Sequence, residues 1–322
     1  MKAAIRRKYI PSHELKIEEI EKPNLKDDEI LVKVFATTVN RTDTAVLTGK
    51  PFVMRFFTGL LKPTIITTGT DFAGQVEAVG SQATEFKVGE RVFGFNDEGL
   101  GSHAEYLAVS TKEAIMKIPE KFSYAEAAAS LEGMHYAVNF LNKIEINANQ
   151  KILLNGATGA IGSVGLQILK YHGCYVTAVC NTKNIDLIKS LGADKIYDYE
   201  KEDFAQLDDE KYDFVFDAVG KSSFGKCKPL LKENGIYCSS ELGPNAENPF
   251  LAIRSKFYGK KKVIFPIPSD IKASIEFNIP LIEQGKFRPI IDRTYPLEKI
   301  SEAFQYVETG QKTGNVVIEI VK

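Results

Sequence analysis

The stretch NGATGAIGSVGLQ, residues 155 to 167, decides the fold. It follows the apolar run Lys151-Ile152-Leu153-Leu154 and opens an amphipathic run that ends at His172-Gly173. A buried strand, a tight glycine turn and a helix are the parts of a phosphate-binding crossover. The turn lets backbone N–H groups approach a pyrophosphate, and the helix N-terminus adds unpaired donors and a favourable dipole. Aligned on its last two glycines, the turn reads Ala157-Thr158-Gly159-Ala160-Ile161-Gly162, with Gly156 just before. It departs from a plain G-x-G-x-x-G, but it has a strand before, a helix after and a second strand about 20 residues on. Gly159 is expected to allow close backbone approach to the pyrophosphate, and Gly162 to let the helix pack tightly.

Outward from this turn, strands and helices alternate. Strands are predicted at 151–155, 175–180, 195–199, 212–218, 235–240 and 262–265, with helices at 160–172, 184–191 and 223–231 between them. That alternation predicts an α/β fold, a parallel sheet with helices on both faces. Residues 1 to about 120 read instead as β-rich, with apolar runs at 30–36, 72–79 and 91–95 punctuated by Gly69, Gly74, Gly80, Gly89 and Gly94. The register changes near 122, where Ser123 and Glu126 form a capping-box signature ahead of Ala127-Ala128-Ala129. Residues 270–285 read as a helix that Pro280 is expected to kink or break. Residues 313–320 form a last strand, expected to return to the first domain.

The 322 residues are enough for two domains. A net charge of −1 provides no field that would draw in nucleic acid or an anionic membrane. Lys260-Lys261-Lys262 reads as a solvated edge. The basic start, MKAAIRRKYI, lacks the apolar core of a signal peptide, and no apolar run reaches the roughly 20 residues that span a bilayer. Cys174, Cys180, Cys227 and Cys238 form no C-x-x-C pair. They read as buried free thiols of a cytoplasmic protein.

The end of the second strand of the alternating half bears on the choice of nicotinamide cofactor. An acid there would bind the ribose 2′-OH of NAD. The run Val179-Cys180-Asn181-Thr182-Lys183-Asn184 has none, so Asn181, Thr182 and Lys183 favour the 2′-phosphate of NADP(H). Helix capping by Asn181 and Thr182, and a solvated Lys183, are the competing readings.

The chain resembles the medium-chain dehydrogenase/reductase superfamily in its zinc-free quinone oxidoreductase branch. The markers are Val39-Asn40-Arg41-Thr42-Asp43, Gly69-Thr70-Asp71-Phe72-Ala73-Gly74, Lys87-Val88-Gly89-Glu90-Arg91-Val92, the glycine turn, Ser190-Leu191-Gly192-Ala193-Asp194, Asp213 to Gly220 and the final strand. The resemblance implies a GroES-like β-barrel substrate domain from residues 1–122 and 265–322. A doubly wound Rossmann domain would occupy 123–264, with nicotinamide and substrate in the cleft between the two. It implies an NADPH-dependent reductase of quinones or α,β-unsaturated carbonyls acting on small lipophilic substrates, with Tyr199 near the 2′-phosphate. Val219, Ser240 and Glu241 would lie on the nicotinamide side. A homodimer through the strand Val263-Ile264-Phe265 is also implied.

Zinc-dependent members of that superfamily have Cys where Asn40 stands and His where Thr70 stands. Asn and Thr are poor zinc ligands, and no cysteine precedes Cys174, so no metal is expected. Without a Lewis acid, a conjugated acceptor that delocalises charge onto oxygen is the accessible substrate, aided by hydrogen-bond donors. Asn40, Thr44 and His135 are the candidate donors. Asn40 has the loop-stabilising role as its competitor, and Asp43 reads as ordering that loop more than transferring a proton. His135 replaces the threonine of similar enzymes; it either serves the substrate as donor and proton shuttle or is a helix-start histidine bonded to backbone. Glu132 is a candidate to orient it. The tyrosines that relatives carry after this loop are absent from Ala45 to Pro51. Phe52 to Leu61 reads as a hydrophobic lid or as a packed segment, and Phe250, Phe257 and Tyr258 as pocket lining. The alternatives are an alcohol/aldehyde dehydrogenase-like oxidoreductase and a non-catalytic NADPH-binding protein.

Overall fold

The computed structural model describes residues 1–207, 209–267 and 269–320. In chain order the strands are β1 (Lys2–Ile5), β2 (Lys16–Glu19), β3 (Glu29–Val39), β4 (Asp71–Val79), β5 (Arg91–Phe95), β6 (Tyr106–Ser110), β7 (Ala114–Lys117), β8 (Lys151–Asn155), β9 (Tyr175–Cys180), β10 (Lys195–Asp198), β11 (Tyr212–Asp217), β12 (Leu231–Ser239), β13 (Lys262–Ile264), β14 (Ile291–Pro296) and β15 (Asn315–Glu319). The α-helices are α1 (Arg41–Thr48), α2 (Met54–Thr58), α3 (Tyr124–Ala129), α4 (Glu132–Leu141), α5 (Ala160–Tyr171), α6 (Ile185–Ser190), α7 (Phe204–Leu207), α8 (Phe224–Cys227), α9 (Glu247–Phe257), α10 (Ile271–Glu283) and α11 (Ile300–Glu308). Two compact units result, Met1–Glu132 with Ile271–Lys322, and Gly133–Asp270. Residues 268, 321 and 322 of the segment predicted from 265 to 322 lie outside the described residues.

In the first unit, β3 is the organising strand. Its sequence EILVKVFATTV is apolar and β-branched, and almost every residue is buried. Along its length β3 pairs antiparallel with β15, β4 and β6. The remaining order runs through β5 to β7 on one side and to β14 on the other. At Gly74 a Cβ would lie 2.3 Å from the Lys33 carbonyl, so this close approach of β4 to β3 requires glycine. One core gathers Ile30, Val32, Val34, Phe72, Val92 and Leu107, and another joins Val39 and Leu47 to Phe304, Val307 and Val316. Burial of a side chain such as Phe304 contributes about 1.5–3 kcal/mol. The last strand, β15, thus returns to pair with β3, as expected for residues 313–320.

Helix α3 has the predicted capping box: Ser123 Oγ accepts from the Glu126 N–H at 3.2 Å, and Glu126 Oε2 accepts from the Ser123 N–H at 2.9 Å. The helix belongs to the first unit, where it packs on β3, β4 and β15. Its buried alanines permit that close approach, and the Tyr124 ring stacks on Phe35 at 4.5 Å. The units divide in sequence at 132/133 and 270/271. Helix α10 continues through Pro280. The helix shows no break at Pro280, and Ile275, Leu281 and Ile282 on either side of it are buried.

In the second unit all six strands are parallel, in the order β10-β9-β8-β11-β12-β13. This is the doubly wound Rossmann order, with the reversal between β8 and β11. Strand boundaries match the predicted ones within a residue or two, except that β12 begins at Leu231. The paired registers set Asn155 beside Val179, Asp198 beside Cys180, Asp217 beside Asn155 and Ser239 beside Asp217. Every carboxyl end thus reaches the same edge of the sheet. Among the described residues, no helix is long and apolar enough to cross a membrane.

Candidate functional site

The carboxyl edge of the parallel sheet carries the glycine turn. Gly156 takes a φ of +80°, and a Cβ there would strike Val219 at 2.4 Å, so the ends of β8 and β11 touch through it. At Gly162 a Cβ would lie 2.1 Å from the Gly156 carbonyl oxygen. The first turn of α5 therefore packs directly on the backbone of the preceding turn. Gly159 differs: it is the N-cap of α5, and the nearest atom to a Cβ there is 3.7 Å away. No side chain caps this helix start. The Gly159 N–H donates to the Gly156 carbonyl at 3.2 Å, and the uncapped helix start at Ala160 to Gly162 offers backbone donors, an arrangement that fits a dinucleotide pyrophosphate.

The neighbouring strand ends complete this edge. Asp217 is fully buried and accepts from Asn155 Nδ2 at 3.0 Å, the Ser222 N–H at 2.9 Å and the Val219 N–H at 3.3 Å. It ties together the ends of β8 and β11 and the turn after β11. Ser240 donates its N–H to the Asp217 carbonyl at 3.0 Å, and Glu241 packs against Gly220. Val219, Ser240 and Glu241 are thus adjacent.

The end of β9 holds something the sequence reading missed. Thr182 Oγ1 donates to Asp198 Oδ2 at 2.5 Å, and the Thr182 N–H donates to Glu200 Oε2 at 3.1 Å. The run 179–184 has no acid of its own, but parallel pairing of β10 with β9 delivers two from sixteen and eighteen residues further on. Thr182 and its donors hold the Asp198 carboxyl below the usual carboxylate range. Asn181 is buried, bonded through Oδ1 to Asn184 Nδ2 at 2.7 Å, whereas Lys183 and Tyr199 are exposed. Asn181 stands at the N-cap of the short helical turn 182–184 but makes no side-chain cap hydrogen bond there.

In the first unit, Asn40 is the N-cap of α1. It forms a capping box with Asp43: Asn40 Oδ1 accepts from the Asp43 N–H at 2.8 Å, and Asp43 Oδ2 from the Asn40 N–H at 3.0 Å. Asn40 Nδ2 donates to Thr70 Oγ1 at 3.0 Å. Both ends of the carboxamide are engaged within the unit, the arrangement of a loop-ordering residue. Thr44 Oγ1 likewise donates to the Asn40 carbonyl, at 3.3 Å. Asp71 accepts from Thr38 through both its N–H and its hydroxyl, and from Thr37 Oγ1. Asp43 and Asp71 are fully buried, and Asp43 Oδ1 has no hydrogen-bond partner. Burial pushes Asp71 up to about 7 against the donors from Thr38. Burial, reinforced by the charge of Asp71, drives Asp43 well above the ordinary carboxylate range. Among the described residues, no three His, Cys, Asp or Glu side chains gather as a metal ion would require.

His135 lies buried on α4 in the second unit. Asn139 Nδ2 approaches His135 Nδ1 at 3.2 Å and donates to the His135 carbonyl at 2.8 Å. A donor at Nδ1 places the ring proton on Nε2. Burial lowers the imidazole to about 4, so it is neutral at neutral pH. Glu132 accepts from Thr42 Oγ1 at 3.0 Å, within the first unit.

The segment expected as a lid forms the short helix α2. Phe52, Phe56, Phe57 and Leu61 are each more than half exposed, while Thr58 is buried and bonds the Tyr9 hydroxyl at 2.9 Å. Phe250, Phe257 and Tyr258 on and after α9 are likewise exposed.

Comparison with known proteins agrees with this architecture. Residues 26–120 match the alcohol dehydrogenase GroES-like domain, and residues 191–318 match a family described as zinc-binding dehydrogenase. The chain is 32% identical to a chloroplast envelope quinone oxidoreductase homolog of Arabidopsis thaliana, over 94% of this chain and 92% of the relative. It is also 32% identical to an NADPH-dependent alkenal/one oxidoreductase of the same plant, over 99% of this chain and 79% of the relative. The solved quinone oxidoreductase of Coxiella burnetii superposes with a TM-score of 0.87 at 25% identity, covering 100% of this chain and 99% of that one. On fold, strand order, glycine turn and these similarities, the chain belongs to the quinone oxidoreductase branch of the medium-chain dehydrogenase/reductase superfamily.

Proposed function

We propose that the protein is an NADPH-using, zinc-independent reductase of quinones and α,β-unsaturated carbonyls. The observation that carries this reading is the start of α5, which no side chain caps and where a Cβ at Gly159 would have its nearest atom 3.7 Å away. Backbone N–H groups of Thr158 to Gly162 hold the pyrophosphate there, Lys183 and Tyr199 face the 2′-phosphate end, and Val219, Ser240 and Glu241 face the nicotinamide end. The named activities of the quinone and alkenal/one oxidoreductase relatives support the substrate class. The first unit has the substrate-binding role in this reading. Asn40 and Thr70, bonded to each other, replace the thiolate and imidazole that zinc prefers. The edge strand β13 is the pairing face of a homodimer.

When bound, the nicotinamide supplies a hydride equivalent. The chain's own contribution is position and electrostatics. His135, neutral with its proton on Nε2, donates a hydrogen bond to the carbonyl oxygen of the acceptor, and Asn40 with Asp43 keeps the loop before α1 in shape. His135→Phe is expected to lower kcat roughly tenfold to a hundredfold with the dissociation constant for NADPH unchanged. Because the imidazole titrates near 4, the wild-type kcat profile is expected to be free of a histidine inflection between pH 6 and 8. A slope of one unit near 6.5, lost in the variant, would contradict the neutral-donor role.

The direct test follows NADPH oxidation at 340 nm against a panel of quinones and enones, with NADH and a chelator in parallel. Chelator-resistant turnover is the expected result. Chelator-sensitive turnover would overturn the zinc-independent reading in favour of an alcohol dehydrogenase type. Tight NADPH binding without turnover would leave a nucleotide-binding protein.

A further inference from the structure

We propose that Glu200 is the residue that limits discrimination between NADPH and NADH, by holding a carboxylate on the backbone donor that a ribose 2′-phosphate would use. The proposal rests on reading the β8–α5 turn as the dinucleotide site. In a Rossmann fold, the ribose of the adenosine half lies against the loop that follows the second strand. Here that strand is β9, and its loop begins at Asn181 and Thr182. The Thr182 N–H is the exposed backbone donor at the loop's first turn, and it is already given to Glu200 Oε2 at 3.1 Å. The Thr182 hydroxyl is given to Asp198, at 2.5 Å.

The two acids have different roles. Asp198 is buried at the end of β10, accepts the Glu200 N–H through Oδ1 at 3.1 Å and pairs with Lys201 at 3.2 Å. It is part of the framework of the turn. Glu200 is exposed, follows the strand end and reaches back to the loop by its side chain alone. It can swing away from Thr182 without disturbing the sheet. A 2′-phosphate carries about two negative charges near neutrality, so a carboxylate within hydrogen-bond range of the same donor repels it. A ribose 2′-OH, by contrast, donates to a carboxylate. Lys183 and Tyr199 on the same rim favour the phosphate. Glu200 opposes them, and the result is a protein that accepts both cofactors with a small preference.

Two substitutions separate charge from geometry. Glu200→Gln keeps an oxygen that accepts from Thr182, and Glu200→Ala removes it. The experiment is a fluorescence or calorimetric titration of the whole protein with NADPH, NADH, 2′,5′-ADP and 5′-AMP at two salt concentrations, which reads binding and not turnover. In Glu200→Gln, affinity for NADPH and 2′,5′-ADP is expected to rise about tenfold at low salt, less at high salt, with affinity for NADH and 5′-AMP unchanged or lowered. Glu200→Ala is expected to show the same rise. Unchanged ratios in both variants, with wild-type NADH binding intact, would overturn the role of Glu200 alone. A wild type that binds none of the four nucleotides would overturn the dinucleotide site itself, and with it this inference. Matching melting curves for the three proteins exclude a folding explanation.

Discussion

Gly162→Ala is expected to destabilise the protein by about 3 kcal/mol and to reduce NADPH affinity by more than tenfold. The added methyl would lie 2.1 Å from the Gly156 carbonyl oxygen and 3.0 Å from the Ala157 Cα, both of them backbone atoms. Neither can move by rotating a side chain, so α5 must shift off the turn. Overpacking of that kind costs typically 1–3 kcal/mol, and more where backbone blocks relaxation. For a unit of this size that lowers the melting temperature by roughly 6–12 °C. Gly159→Ala is the contrasting substitution. Its nearest neighbour is 3.7 Å away and its φ of −71° suits alanine. It is expected to cost less than about 1 kcal/mol in stability, since alanine is only a poorer N-cap than glycine. It should still weaken NADPH binding at least tenfold, because the methyl projects into the space where a pyrophosphate meets the backbone. Thermal melts and nucleotide titrations of both variants check this. A Gly159→Ala protein with full NADPH affinity would remove the pyrophosphate from this turn.

The second large effect is a dependence of stability on pH, set by Asp43 and Asp71. Both carboxyls are held above the ordinary aspartate value of 3.8, first by burial, so between about pH 4 and their folded values the folded state binds more protons than the unfolded chain. Their contribution to stability is therefore fully present below about pH 4 and is lost progressively as pH rises to the folded values, about 7 for Asp71. A rise from 3.8 to about 7 corresponds to roughly 4 kcal/mol at 1.36 kcal/mol per unit. The two titrate as a pair, so the loss is shared between them. Asp43→Asn keeps an acceptor for the Asn40 N–H while removing one charge. It is expected to raise stability relative to wild type by about 2 kcal/mol at pH 8.5, a gain that shrinks steadily as pH falls toward 4. Melting temperatures of both proteins from pH 5 to 9 give the difference curve. A difference that does not grow with pH would show that Asp43 is not held protonated by the fold.

These effects involve one site that is legible in the linear chain and one that is not. The glycine turn is local: strand, turn and helix start lie within about twenty residues, and each uses short-range chemistry, β-branching, glycine freedom and an open helix terminus. The same holds for the Ser123–Glu126 capping box, and Asn40 and Asp43, three residues apart, form a second box whose partners are equally local. Asp71 joins them only because β4 pairs antiparallel with β3, which brings it beside Thr37 and Thr38.

The amino-acid order by itself determined the parallel sheet, the glycine turn, its use of Gly162 for packing and the family to which the chain belongs. Tertiary structure alone decided that α3 belongs to the first unit, that α10 passes through Pro280, that His135 is buried, and that Asp198 and Glu200 stand against Thr182. The physical reason is range. Periodicity, caps and turns are written within a few residues, whereas burial shifts a pKa, and strand register aligns side chains, only after distant segments have packed.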